Sequence, residues 1–159
     1  MDFRIGQGYD VHAIVPGLPM WLGGVRIEAP VGFVAHSDGD VAIHALCDAI
    51  LGALALGDIG KHFPDSANEY KGIDSTILLD EVVKMVSDAG YRVGNVDITI
   101  ALQRPKMAPY IGEMRSVLAR HLRVDKSRVS VKATTTEHLG FVGREEGVEV
   151  YAVATVISD

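Results

Sequence analysis

The stretch Val148 to Ile157 constrains the fold of this chain more than any other. Beyond Val150 it is apolar on both of the faces that an extended strand presents. A strand buried on both faces needs cover on both. The helices of the chain account for one covering layer. The other face is then free to meet a partner subunit, a first hint of oligomerisation.

The remaining pattern supplies the rest of a sheet and its helices. Phe3 to Val11 reads as a short strand, interrupted by Gly6 and Gly8. Met20-Trp21-Leu22, Gly23-Gly24 and Val25-Arg26-Ile27 form a hairpin signal. Val34 to Ser37 is a brief approach to a helix over Val41 to Leu54, with Ser37, Asp38 and Asp40 as cap candidates. Gly57 to Asp65 is a loop rich in breakers. A second helix spans Ser75 to Ala89, capped by Asp74 and ended by Gly90, with Ile77, Leu78, Val82, Met85, Val86 and Ala89 as its buried stripe. Val96 to Leu102 alternates as a strand, Gln103 to Ala108 is a loop, and Pro109 sits early in a third helix reaching Leu122. Val129 to Ala133 is a further strand. This mixed order predicts an α+β fold, a two-layer sandwich of a mixed β-sheet with helices on one face.

The chain has 159 residues and no linker-like stretch, so one domain over 1–159 is expected. A net charge of −6 argues against a nucleic-acid binder, which needs a basic surface. It leaves room for a small phosphorylated substrate, because a pocket can be locally positive. The single cysteine, Cys47, lies in an apolar helical stretch and reads as a buried core residue. No membrane span, signal peptide or disulfide pair is visible, so a cytoplasmic protein is expected.

The chemistry-bearing residues lie near the start. Asp10 and His12 are two apart in a strand and point to one face, and His44 lies just inside a helix. Two imidazoles and a carboxylate leave an open position on a divalent ion, as a catalytic site requires. The same set suits zinc or ferrous iron, and spacing does not separate them. Asp40 and Asp48 lie four residues either side of His44, so either is placed to orient its ring, with a helix cap as the plain alternative for Asp40. His62, His121 and His138 read as surface or packing residues. Asp58-Ile59-Gly60, Phe63-Pro64-Asp65-Ser66 and Thr134-Thr135-Thr136-Glu137 are loops whose hydroxyls, N–H groups and carboxylates suit phosphate and a bridging cation. No dinucleotide or Walker-type glycine loop is present.

These residues also resemble a known family. Arg4-Ile5-Gly6, Tyr9-Asp10-Val11-His12, Ala35-His36-Ser37-Asp38-Gly39-Asp40-Val41, Leu56-Gly57-Asp58-Ile59-Gly60-Lys61, Phe63-Pro64-Asp65, Gly94-Asn95-Val96-Asp97, Pro105-Lys106-Met107, Val131 to Glu137, Leu139-Gly140-Phe141 and Gly143-Arg144 are similar to the 2-C-methyl-D-erythritol 2,4-cyclodiphosphate synthases. The resemblance runs over essentially the whole chain. It implies a homotrimer with active sites between adjacent subunits. It implies cyclisation of 4-diphosphocytidyl-2-C-methyl-D-erythritol 2-phosphate with release of CMP. It also implies zinc on Asp10, His12 and His44, and magnesium or manganese held by Glu137 across the diphosphate.

By the same resemblance, His36 and Thr135 match the transition-state-stabilising positions. Asp58 and Gly60 match those holding the erythritol part, and Asp65 the substrate loop after Phe63-Pro64. Leu102, Pro105, Lys106, Met107 and Ala108 match the cytidine pocket. Ser37, Ile59, Ala133, Thr134, Thr136 and Phe141 are further implied substrate contacts. Arg144 matches a residue near the trimer axis, where an isoprenoid diphosphate can bind; an exposed turn arginine is its ordinary alternative. The chain is too short for the cytidylyltransferase domain fused to some members. Other readings of the same residues are a metal phosphohydrolase or iron oxygenase, and a trimeric binding protein with structural zinc.

Overall fold

The computed structural model describes residues 1–159. Five strands form the main sheet in the order β4-β1-β7-β5-β6. They are β1 (Phe3–Pro16), β4 (Val31–Phe33), β5 (Tyr91–Ala101), β6 (Val129–Thr134) and β7 (Gly147–Ser158). The hairpin β2 (Met20–Leu22) and β3 (Val25–Ile27) stands as a separate two-stranded sheet. β7 runs antiparallel to both β1 and β5, whereas β5 and β6 are parallel. The parallel pair needs a crossover, and α4 (Ile111–Leu122) provides it. The sheet is therefore mixed, as the element order predicts. Its register aligns Asp10 with Val150, Val150 with Ile100 and Ile100 with Ala133, so these four share one row across the sheet.

Helices α1 (Val41–Ala53), α3 (Ser75–Asp88) and α4 pack on one face. α1 is apolar almost all round because the sheet covers one side of it and α3 another. Cys47 is fully buried within it, as expected. Gly6 and Gly8 do not interrupt β1, which continues through both to Pro16. They are where α1 lies on the strand. A Cβ at Gly6 would stand 1.9 Å from the Ala49 carbonyl oxygen, and one at Gly8 1.9 Å from that of Ala45.

The β2–β3 turn locks onto the start of α1. Gly23 and Gly24 adopt φ of 59° and 76°, the left-handed pair a two-residue hairpin requires. Their N–H groups donate to the two oxygens of Asp40 at 2.9 and 2.7 Å. Asp40 Oδ1 also accepts the Ile43 N–H at 3.1 Å, capping the helix. Asp40 is wholly buried. Burial and the nearby Asp38 charge push its carboxyl up to about 6, against the opposing pull of the N–H donors. Asp40→Ala leaves three N–H groups without their acceptor, and a loss of about 3–5 kcal/mol is expected in a urea unfolding curve.

α3 buries Leu78, Leu79, Val82, Val83 and Val86, a stripe rotated from the one expected. Ile77 is 49% exposed and Ala89 is also exposed. The opposite face of the sheet carries Phe3, Ile5, Tyr9, Val11, Tyr151 and Val153, all exposed. Val148, Val150, Ala152, Ala154 and Val156 of β7 are fully buried on the helix side. The two-sided apolar strand thus has one face covered within the chain and one bare. No helix is long and apolar enough to cross a membrane.

Candidate active site

β1 and α1 build the centre of the site. Because Gly6 and Gly8 bring α1 onto the strand, the next two residues on that face, Asp10 and His12, meet His44, which immediately precedes the Ala45 contact. Asp10 Oδ2 lies 3.0 Å from His12 Nε2 and 3.2 Å from His44 Nδ1, and the two ring nitrogens are 3.2 Å apart. A tetrahedral ion with bonds of about 2.0–2.1 Å needs donor separations of about 3.3 Å. The three atoms therefore fit a single divalent ion. The donor set is the open three-ligand kind.

The electrostatics act differently on the carboxylate and the imidazole. Burial alone would raise the Asp10 carboxyl, but hydrogen bonds from His12 and His44 outweigh it and hold the group at about 2. Asp10 is thus an anion throughout the physiological range. Burial works to lower His44, yet the Asp10 hydrogen bond and charge leave it raised above its ordinary value.

The other nitrogen of His44 does not meet Asp40 or Asp48. Asp40 is committed to the hairpin and the helix cap. Asp48 Oδ1 accepts the Ile59 N–H at 2.8 Å and so anchors the short helix α2 (Ile59–His62). Instead, His44 Nε2 lies 2.9 Å from Ser75 Oγ and 3.1 Å from Ser37 Oγ. Sequence spacing pointed along α1, but the partners come from the preceding loop and from the first residue of α3.

A cavity of about 220 Å³ opens over this cluster. It brings together Asp10, His12, His36, Ser37, His44, Ile59, Gly60, Phe63 and Asp65, nine of the residues singled out from the sequence. Asp58 caps α2 through the Lys61 N–H. Tyr70, Ile73 and Leu78 also line the cavity and were not anticipated. Tyr70 stands edge-on to Phe63, with ring centroids 5.5 Å apart. A lone aromatic in the polar run from Ser66 to Asp74 was the available signal. A larger cavity of about 300 Å³ lies between the C-terminal ends of α3 and α4. It contains no histidine and no metal-type cluster, so the smaller cavity is the stronger candidate site.

Ala133, Thr134, Thr135, Thr136 and Glu137 sit elsewhere. Ala133 and Thr134 end β6 and the other three follow it, three strands across from β1. At about 4.8 Å per strand the separation is about 14 Å. Thr136 Oγ1 donates to the Leu139 carbonyl at 2.7 Å, and Glu137 and His138 both adopt left-handed backbone. Leu102 to Ala108, with a cis Arg104–Pro105 peptide, leaves the neighbouring strand β5. The Leu102 N–H donates to the Thr134 carbonyl, tying that loop to this second group. Phe141 belongs to the short helix α5 (Gly140–Gly143). Arg144 follows it and pairs with Glu146 at 2.7 Å on the surface. His62 meets the Leu56 carbonyl and His121 pairs with Asp80. One chain therefore holds these two groups of residues three strands apart.

Comparison with known proteins agrees with this architecture. Residues 3–157 match the family model described as the YgbB family. The chain belongs to the YgbB family. A 2-C-methyl-D-erythritol 2,4-cyclodiphosphate synthase of Thioalkalivibrio sulfidiphilus is 61% identical over 157 residues, covering 99% of this chain and 98% of the relative. Among solved structures, the bifunctional IspDF of Campylobacter jejuni superposes with a TM-score of 0.96 at 42% identity. That match covers 99% of this chain and 43% of the larger protein. A CDP-bound 2C-methyl-D-erythritol-2,4-cyclodiphosphate synthase gives a TM-score of 0.90 at 37% identity, covering 97% of this chain and all of the other. Family membership accords with the mixed sheet and its helices, and with the Asp10–His12–His44 cluster beside its cavity.

Proposed function

We propose that this chain is a cytoplasmic phosphorus–oxygen lyase of the non-mevalonate isoprenoid pathway. It cyclises 4-diphosphocytidyl-2-C-methyl-D-erythritol 2-phosphate to 2-C-methyl-D-erythritol 2,4-cyclodiphosphate and releases CMP. The observation that carries the reading is the Asp10–His12–His44 cluster, opening on its cavity in a chain whose relatives bear that synthase's name. A 2-phosphate oxygen attacks the β-phosphorus, the bond from that phosphorus to the bridging oxygen breaks, and CMP leaves with the electron pair. No water is consumed.

The residues suit that reaction. Nucleophile and electrophile are both anionic, so the site must neutralise charge and hold one molecule bent on itself. Asp10, His12 and His44 hold zinc, and Glu137 holds magnesium or manganese. The two cations, when bound, neutralise phosphate charge and polarise the reacting phosphoryl group. His36 donates to a phosphate from the cavity wall, and Thr135 fixes the diphosphate. Ser37, Asp58, Ile59, Gly60 and Asp65 hold the erythritol end. Phe63, Tyr70, Ile73 and Leu78 give that end an apolar wall that excludes water. Leu102 and Pro105 to Ala108 read the cytosine, with Ala133, Thr134, Thr136 and Phe141 beside them.

Two features support a homotrimer with sites between subunits. The two groups of residues stand about 14 Å apart within one chain, and the second sheet face is apolar and bare. In this assembly Arg144 would stand near the threefold axis and take an isoprenoid diphosphate. Purified protein with substrate and magnesium is expected to yield CMP and cyclic diphosphate in equal amounts. Linear hydrolysis products would reject cyclisation. Zinc affinity is expected to fall as pH drops through the raised value of His44, because the metal must displace its proton.

A further inference from the structure

We propose that Ser75 and Asp38 are positioning residues that decide which nitrogen of His44 carries its proton, and so present a bare Nδ1 to the metal. This rests on the metal-centre reading above and adds two residues to it.

Asp38 receives three donors from the protein. The Ser75 N–H reaches Oδ2 at 2.9 Å, the Asp40 N–H reaches Oδ1 at 3.0 Å, and the Ser75 hydroxyl reaches Oδ1 at 2.5 Å. An ionised carboxylate only accepts, so the single hydroxyl proton of Ser75 points to Asp38. Towards His44, 2.9 Å away, Ser75 Oγ then offers only a lone pair. Ser37 Oγ, 3.1 Å from the same nitrogen, can accept as well as donate, so the Ser75 lone pair sets the preference and puts the N–H on His44 Nε2. In a neutral imidazole this leaves Nδ1 unprotonated, and Nδ1 is the atom 3.2 Å from both Asp10 Oδ2 and His12 Nε2.

The relay opposes a specific competitor. Asp10 is an anion beside Nδ1 and draws a proton onto that nitrogen. A proton there would occupy the position the metal needs. Ser75 is fully buried and His44 is 7% exposed, so without the Ser75 oxygen Nε2 keeps only the longer contact to Ser37 Oγ at 3.1 Å. The relay is also stiff. The Asp38 N–H donates to the Ile73 carbonyl at 3.1 Å and the Gly72 N–H to the His36 carbonyl at 2.7 Å. The loop carrying His36, Ser37 and Asp38 is thereby stitched to the chain that enters α3.

The test uses zinc alone, titrated against a competing chelator. Ser75→Ala and Asp38→Asn are each expected to weaken zinc binding by about 10–100-fold. Ring ¹⁵N shifts supply a readout that a purely structural role would not move. In the metal-free wild type at mildly alkaline pH, His44 is expected in the Nε2–H form. In Ser75→Ala the proton moves towards Nδ1. Unchanged zinc affinity in a folded Ser75→Ala protein, or an Nδ1–H ring in the wild type, would overturn the proposal. If neither variant folds, the wild-type ring decides alone. A wild type that binds no zinc would instead reject the metal centre, an outcome separate from failure of the relay.

Discussion

His44→Ala is expected to lose zinc and to release CMP about a thousandfold more slowly, with the fold retained. Three atoms at 3.0–3.2 Å are spaced to hold one ion, and removal of one leaves a carboxylate and a single imidazole. An ion in such a site contributes several kcal/mol of charge stabilisation, and about 4 kcal/mol corresponds to about a thousandfold in rate. The fold survives because the packing around His44 is made by other residues. Ile43, Leu46, Ile50 and Leu51 of the same helix remain fully packed, and Asp40 still caps it. Metal content by emission spectroscopy, turnover and circular dichroism on one preparation check all three statements. Wild-type turnover in this variant would remove the metal from the chemistry. Lost assembly with intact turnover per folded chain would favour a structural ion.

The second large effect is expected at Gly8. Gly8→Ala places a methyl 1.9 Å from the Ala45 carbonyl oxygen and 2.8 Å from the Ala49 nitrogen. Both are backbone atoms, so no side chain can swing away. α1 has to lift from β1, opening the contact against which the sheet packs. An extra methyl in a tight core costs about 1–3 kcal/mol, and against rigid backbone about 3 kcal/mol or more is expected. The smaller denatured-state entropy of alanine returns only about 0.4–1 kcal/mol. Lifting α1 also draws His44 away from Asp10 and His12, so zinc affinity falls together with the urea midpoint. Gly112→Ala is the control. That glycine lies in α4 with no atom near the added Cβ, and a small gain in stability is expected.

Much of this was legible in the residue pattern, because the pattern reflects local physics. The Gly23–Gly24 hairpin, the Asp74 cap and the helix over Val41 to Leu54 each depend on a few neighbouring residues, and each stands within a residue or so of expectation. The Asp10–His12–His44 cluster was legible because a two-residue spacing fixes a strand face. What was hidden depends on parts of the chain far apart in sequence. Gly6 and Gly8 read as interruptions because their purpose is a helix some forty residues away. Asp48 looked like a partner for His44 by helical spacing, but its acceptor atom is used by the Ile59 N–H. Ser75 reads only as a helix start until folding sets it against His44. Ile77 was placed in the core because a short apolar run does not say which side of the stripe it occupies.

The two groups of residues three strands apart bear on heredity as well as chemistry. In the proposed assembly each site borrows from two chains. A chain damaged near His44 still carries a sound Thr135–Glu137 segment, and a chain damaged there still carries a sound His44. Mixed in one cell, two alleles that are each inactive alone would build some sites from their intact halves. Two lesions in the same half would never do so. A map of which allele pairs rescue each other would therefore divide the gene into two groups, and the border between them would follow the sheet and not the order of the sequence.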